Sequence, residues 1–307
     1  MNRILPWLLL AVLGIIWGTN FLFMKLAVAV LPPLEVAWLR TLFGAIPIAG
    51  YALVTRSIAR DDWRHLHHFA AMAVFANVGP YVLFVLGTQH LPSGIAGVIS
   101  GAIPFITAAI VAVALPSEVL TRAKVIGITI GFAGVMLVAP LGANGPTQTG
   151  SSPLFGVAAM LGGSLSYALA LVYAKRFVAP LGLGSVRLAA YQMILAFVFL
   201  TPFAAPGHWA ALAQHSAALW GLVIGLGLFG TGIAFVIYYE LIERLGALKA
   251  ASVYYIPPVI ALTVGAMFAD ESVGLKQVCG ALLIMAGIYC ANRPDQASSI
   301  AAERRPS

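Results

Sequence analysis

Charge is what this chain has least of. Lys, Arg, Asp and Glu make up only 9% of its 307 residues, against roughly a quarter in a soluble domain. With 61% hydrophobic residues and a mean hydropathy of +0.96, water is excluded as the main solvent. A continuous basic stripe is also missing: the formal net charge of +7 is spread as single Lys and Arg residues between apolar runs. That excludes a nucleic-acid partner and leaves positive loops at a membrane surface. Cysteine is nearly absent. Cys279 and Cys290 lie about 16 Å apart along one helix by the 1.5 Å rise, too far for a disulfide. No P-loop, G-x-S-x-G elbow or H-E-x-x-H run occurs, so no common catalytic motif is present. His65, His67 and His68 stand among Asp61, Asp62 and several Arg. A metal site there would lack thiolate ligands, and the cluster reads as a solvated loop. No cofactor is expected.

What is present is a series of apolar segments, near 6–28, 34–54, 66–88, 93–115, 122–140, 154–175, 183–203, 217–240, 246–268 and 274–292. Each approaches the roughly 20 residues that a helix needs to cross a bilayer. Backbone polar groups in lipid must be paired within the segment, and period-2 alternation is lacking, so the expected class is an all-α membrane protein. Arg3 and Ala27-Val28-Ala29 imitate a cleavable leader. The first run is nevertheless too long for one and holds Trp17, Asn20 and Lys25, so it is expected to stay as the first spanning helix.

One block is written twice. Leu91, Pro104, Glu118, Gly127 and Gly134 recur as Leu245, Pro258, Glu271, Gly280 and Gly287, offset by 154 residues for the first two and 153 for the rest. This divides the chain into a five-helix repeat at 1–140, a connecting loop at 141–153, a second repeat at 154–292 and a tail at 293–307. Of the 17 Lys and Arg residues, 14 fall on the side where the first segment begins, leaving Lys25, Arg40 and Lys276 on the other. The positive-inside rule then puts both termini in the cytoplasm. With five helices per half, the second copy lies inverted relative to the first, the build of carriers with a central site.

Trp17-Gly18-Thr19-Asn20-Phe21, Trp38-Leu39-Arg40 and the two Pro…Glu…Gly blocks together resemble the ten-helix drug/metabolite transporter superfamily, and within it the EamA-type exporters, over 6–292. The second half departs from the pattern where Leu165-Ser166 stands in place of Trp-Gly. The resemblance implies a multi-pass protein of a bacterial inner membrane that exports small metabolites. Amino acids, neutral and aromatic, are the expected cargo. The alternatives are a drug or cation efflux carrier of the same superfamily and, from another class, a lipid-modifying enzyme.

The candidate site follows from helix breakers and deep polar groups. Proline removes a donor and clashes with the preceding turn. Pro104 and Pro258 are thus expected to free the carbonyls of Ser100 and Tyr254, equivalent positions in the repeat; Pro257 acts likewise on Val253, next to Ser252, and Pro80 on Ala76, next to Asn77. Such breaks persist only where protein or a water-filled cavity meets them; the competing reading is a kink satisfied by a neighbouring Ser or Thr. Trp17, Asn20 and Met24 share one face of the first helix. Tyr81, Tyr191, Gln192 and Tyr238 add polar aromatic and amide character. A wall of this kind suits amphipathic solutes. Arg40 lies about two turns into the second helix, where it either meets a substrate carboxylate or pairs with Glu35. Glycines at 127, 131 and 134, and at 221 and 225, mark close helix packing. The partners expected are a small-molecule substrate and the bilayer. A monomer is plausible, and the coupling ion is left open.

Overall fold

The computed structural model describes residues 4–114, 121–140, 152–204, 206–245 and 250–291; a few side chains inside these ranges, those of Tyr239 and Ser252 among them, lie outside the description. Glu118, the central loop as far as residue 151 and the C-terminal tail also lie outside it. Among the described residues every regular element is helical. The rods are α1 (Leu5–Val28), α2 (Pro33–Val54), α3 (Asp61–His90), α4 (Ser93–Ala114) and α5 (Arg122–Val138). They continue with α6 (Pro153–Leu181), α7 (Ser185–Phe203), α8 (Ser216–Tyr238), α9 (Val253–Phe268) and α10 (Leu275–Ala291).

Seven of these, α1 to α4 and α6 to α8, are long and apolar enough to cross a membrane by length and composition. Ten spans were expected from the apolar runs. Both α5 and α10 have 17 residues, about 25 Å at 1.5 Å per residue, at the lower end of what spans a bilayer. The bundle is apolar on its outside as well as its inside: Leu5, Trp7, Leu8, Val54, Val113, Met267 and Phe268 are all exposed. A helix apolar all round belongs in a core or in lipid.

The contacts between rods have a pattern. Close pairs are α5 with α10, α4 with α9 and α2 with α7; α3 packs on α6 and α8 on α1; α2 packs on α8 and α7 on α3; α1 packs on α9 and α6 on α4. Exchanging the first five rods with the second five maps this set onto itself.

Glycine sets the tightest seam. A Cβ on Gly127 would stand 2.6 Å from the Gly287 carbonyl, and one on Gly287 would stand 2.6 Å from the Gly127 carbonyl. Gly134 faces the Gly280 carbonyl in the same way. The repeated glycines thus serve packing inside the chain, backbone against backbone. In α8 the glycines receive side chains from the first half: Phe23 over Gly225, Asn20 over Gly230 and Pro47 over Gly232. Residues Gly221–Ile233 of this rod are wound as a π-helix.

Both repeat-related prolines sit at real breaks. In α4 the helix Ser93–Ser100 stops, turns at Gly101-Ala102 and resumes as Ile103–Ala114. In α9 a 3₁₀ turn, Ala251–Tyr255, gives way at Ile256 to a helix that begins with Pro257 and Pro258. Gly101 and Tyr255 are 154 residues apart, so the two interruptions occupy equivalent places.

Candidate functional site

A cavity of about 320 Å³ lies at these breaks. Ser100, Gly101 and Ile103 line it from α4, and Tyr254, Pro257 and Pro258 from α9. Trp17, Asn20, Phe21 and Met24 come from α1, which packs against α9. Arg40 enters from α2, Phe84 from α3, Tyr167 from α6, Gln192 from α7, and Phe235 and Tyr238 from the last stretch of α8 and its continuation. Every helix of the set except α5 and α10 contributes.

Aromatic rings form one end. Trp17 stands 5.4 Å from Tyr238 and 5.6 Å from Tyr254, stacked on the latter at an interplanar angle of 27°. Offset and tilted pairs at these separations are favoured by the ring quadrupoles. Phe21 and Phe84 continue the wall at 6.2 Å, and Tyr167 follows at 6.0 Å from Phe84. Ala174 and Leu188 extend the lining toward the end of the bundle at which α1 begins.

At the opposite end the protein is tied shut. Glu271, in the turn after α9, accepts hydrogen bonds from the Ser93 and Gly94 backbone N–H groups at the start of α4, the latter at 2.8 Å. A carboxylate at a helix N-terminus satisfies orphan donors and meets the positive end of the dipole. Gly94 and Gly265 leave the room it occupies. Lys25 adds a bond of 3.0 Å to the Leu91 carbonyl. The repeated acidic residue therefore has a structural task in its second copy.

Of the residues singled out from the sequence, Trp17, Asn20, Met24, Arg40, Ser100, Gln192, Tyr238, Tyr254, Pro257 and Pro258 line the cavity. Asn77, Tyr81, Tyr191, Pro80 and Pro104 do not. Asn77 is buried behind the wall and donates to the Tyr81 hydroxyl at 3.3 Å. Tyr81 is the platform under Arg40, whose guanidinium carbon lies 3.9 Å from its ring centre. Tyr191 stacks flat on Phe69 at 4.5 Å. The Ser252 side chain lies outside the described residues.

Pro80 needs a correction of register. Residues Ala73–Val78 of α3 form a π-helix, and Gly79 N–H bonds the Val74 carbonyl five residues back. Pro80, lacking the next N–H, therefore frees Phe75 rather than Ala76, and the Ser166 hydroxyl of α6 donates to that carbonyl at 2.9 Å. This break is satisfied by a neighbouring serine.

Arg40 does not pair with Glu35. Glu35 is 2% exposed and bonds His208 at 2.9 Å across 173 residues of sequence. The Glu240–Arg244 ion pair on the continuation of α8 forms as its i, i+4 spacing implies. Phe21, Phe84 and Phe235 also line the cavity but carry no polar tip to mark them in the sequence. Phe21 was within reach, four residues past Trp17 on the same helical face.

The profile of the EamA-like transporter family matches this chain twice, over residues 5–139 and 154–293. The chain belongs to that family. An uncharacterized transporter of Archaeoglobus fulgidus is 28% identical, with 92% of this chain and 97% of that protein aligned. The uncharacterized inner membrane transporter YedA of Escherichia coli K12 is 29% identical, over 85% of this chain and 81% of the relative. A probable amino-acid metabolite efflux pump of Salmonella typhimurium is 26% identical, over 90% of each. A solved crystal structure superposes with a TM-score of 0.61 at 18% identity, covering 99% of this chain and 100% of the other; that likeness speaks for the fold alone. These relatives make the chain a membrane-embedded transporter, and the lipid-modifying enzyme loses its support.

Proposed function

We propose that this EamA-family protein exports small amphipathic metabolites, neutral and aromatic amino acids foremost, by alternating access between two inverted halves. The observation that carries the proposal is the cavity itself. It lies where two equivalent helix breaks meet, is walled by Trp17, Tyr238 and Tyr254, and holds a single cation, Arg40, among its lining residues. Rings supply apolar contact, and hydroxyl, indole and amide groups fix orientation. A phosphate-ester exchanger would want several cations converging on its ligand.

Direction follows from orientation. With both termini in the cytoplasm of a bacterial inner membrane, as the Lys and Arg distribution implies, the lining at Ala174 and Leu188 faces inward. The Glu271 and Lys25 ties then close the outer end. A carrier in that state loads from inside. Rocking the halves about the α4–α9 breaks and releasing the outer ties would present the same cavity outward. Support for the cargo comes also from the efflux pump named above.

The test is transport by the purified protein in proteoliposomes. Counterflow of radiolabelled phenylalanine, leucine and other neutral amino acids, recovered unmodified, is expected. Flux of cationic drugs alone, with no amino acid carried, would replace the reading by drug efflux.

A further inference from the structure

Among the described residues Arg40 stands in the cavity without a counter-charge. It is 5% exposed and lies seven residues into α2, about 10 Å from the helix start at 1.5 Å per residue. Its neighbours orient the guanidinium and leave its charge unbalanced. Nε donates to the Thr231 hydroxyl at 2.9 Å, Nη1 lies 3.6 Å from the Met24 sulfur, and the Tyr81 ring lies beneath at 3.9 Å.

The described carboxylates are engaged elsewhere or face solvent. Asp62 pairs with Arg187, Glu240 with Arg244 and Glu35 with His208, while Glu271 caps α4. Asp61 and Asp270 are exposed. A buried ion without a partner is costly, and an ionisable group at membrane depth marks a substrate path. A planar, fixed guanidinium is shaped for a carboxylate.

We infer that Arg40 is the carboxylate-binding residue of the transport cavity, so that the solutes carried are carboxylates bearing an apolar or aromatic end. This rests on the cavity being the solute site. Trp17 and Met24 are separated by about 10 Å along α1, which places the aromatic end and the cation at the two ends of a solute of amino-acid length. Two buried amides belong to the same lining. Asn20, 4% exposed, and Gln192, 1% exposed, both line the cavity, and neither Asn20 Oδ1 nor Gln192 Oε1 has a hydrogen-bond partner. The Asn20 amide is turned onto α8: its Nδ2 donates to the Gly230 carbonyl at 3.3 Å, and its oxygen packs over Gly230.

The experiment uses the full chain in detergent and measures dissociation constants for L-phenylalanine, 3-phenylpropionate and phenethylamine. The wild type is expected to bind both carboxylates at least about tenfold more tightly than the amine, the scale of one charged hydrogen bond. Arg40→Gln erases that preference and leaves the amine bound no more weakly. Arg40→Lys keeps the charge without the fork and weakens both carboxylates several-fold, which preserves the test if Arg40→Gln does not fold. Equal wild-type affinity for acid and amine, or a preference that survives Arg40→Gln, overturns the inference, as does unchanged carboxylate binding in Arg40→Lys. The amino-acid reading fails separately: phenylpropionate bound through Arg40 with phenylalanine ignored sinks that reading and keeps this one. Phenylalanine bound irrespective of Arg40 does the reverse. Binding of none of the three by the wild type overturns both.

Discussion

Of the helix pairs that join the first half of the molecule to the second, two are built from the duplicated block, and they come out opposite. The α5–α10 pair is closed: Gly127 and Gly134 face Gly287 and Gly280 with no room for a methyl group between backbones. The α4–α9 pair begins in the same manner, with Gly94 close against Leu262, and then comes apart where each helix breaks at Gly101 and Ile256. Small residues on unbroken helices give a dry seam. Prolines in the same repeat give a cavity. The duplication thus supplied one hinge-like pair and one spine, and only the broken pair touches the candidate site.

That contrast can be attacked from both sides. The largest effect is expected at the spine. Gly287→Val places a side chain within 2.9 Å of the Gly131 backbone and 2.6 Å of the Gly127 carbonyl, and overpacking a seam with nowhere to move should cost about 3 kcal/mol or more. Folded yield and melting in detergent read it out; near-wild-type stability would show that α5 and α10 can separate cheaply. Next comes Glu271→Ala, which strips the cap from two N–H groups of α4 and should destabilise by about 2 kcal/mol, with Glu271→Gln in between. No loss of melting temperature would mean that water replaces the cap and that the outer tie is weak.

On the cavity side, Trp17→Ala or Asn20→Ala should lower transport about tenfold, or about 1.4 kcal/mol, while the protein still inserts and purifies. Normal flux in both variants removes α1 from the site. The smallest effect is assigned to Gly50 of α2, which has nothing within 4 Å of its added Cβ. Gly50→Ala should stabilise by about 0.5 kcal/mol through helix propensity alone, and a loss comparable to Gly287→Val would undo the claim that glycine contacts, not glycine content, define the spine.

Much of this was legible in the chain before any coordinates. The apolar runs fix the helices because lipid leaves the backbone no alternative. The offset of Pro104 and Pro258 locates the α4–α9 interruption because proline acts locally. Two kinds of information were not local. Neighbours in sequence face different ways: Gln192 turns into the cavity while Tyr191 stacks on Phe69, and a helix apolar on every side gives no phase from which to tell them apart. Partners far apart in sequence are equally silent, as with Glu35 and His208 or Arg40 and Thr231. The freed carbonyl at Pro80 moved by one residue because α3 widens into π-helical turns there, and the composition around Asn77 does not announce it. Among the described residues α5, α9 and α10 are apolar helices of at most 17 residues.

The central claim is that the cavity at the α4–α9 breaks is the path of the solute. Its most direct test is Ser100→Cys in a chain whose Cys279 and Cys290 are replaced by serine, treated with a charged methanethiosulfonate reagent in proteoliposomes. Modification should abolish counterflow, and a saturating transported amino acid should slow the labelling. Counterflow that survives complete modification of that thiol would contradict the account.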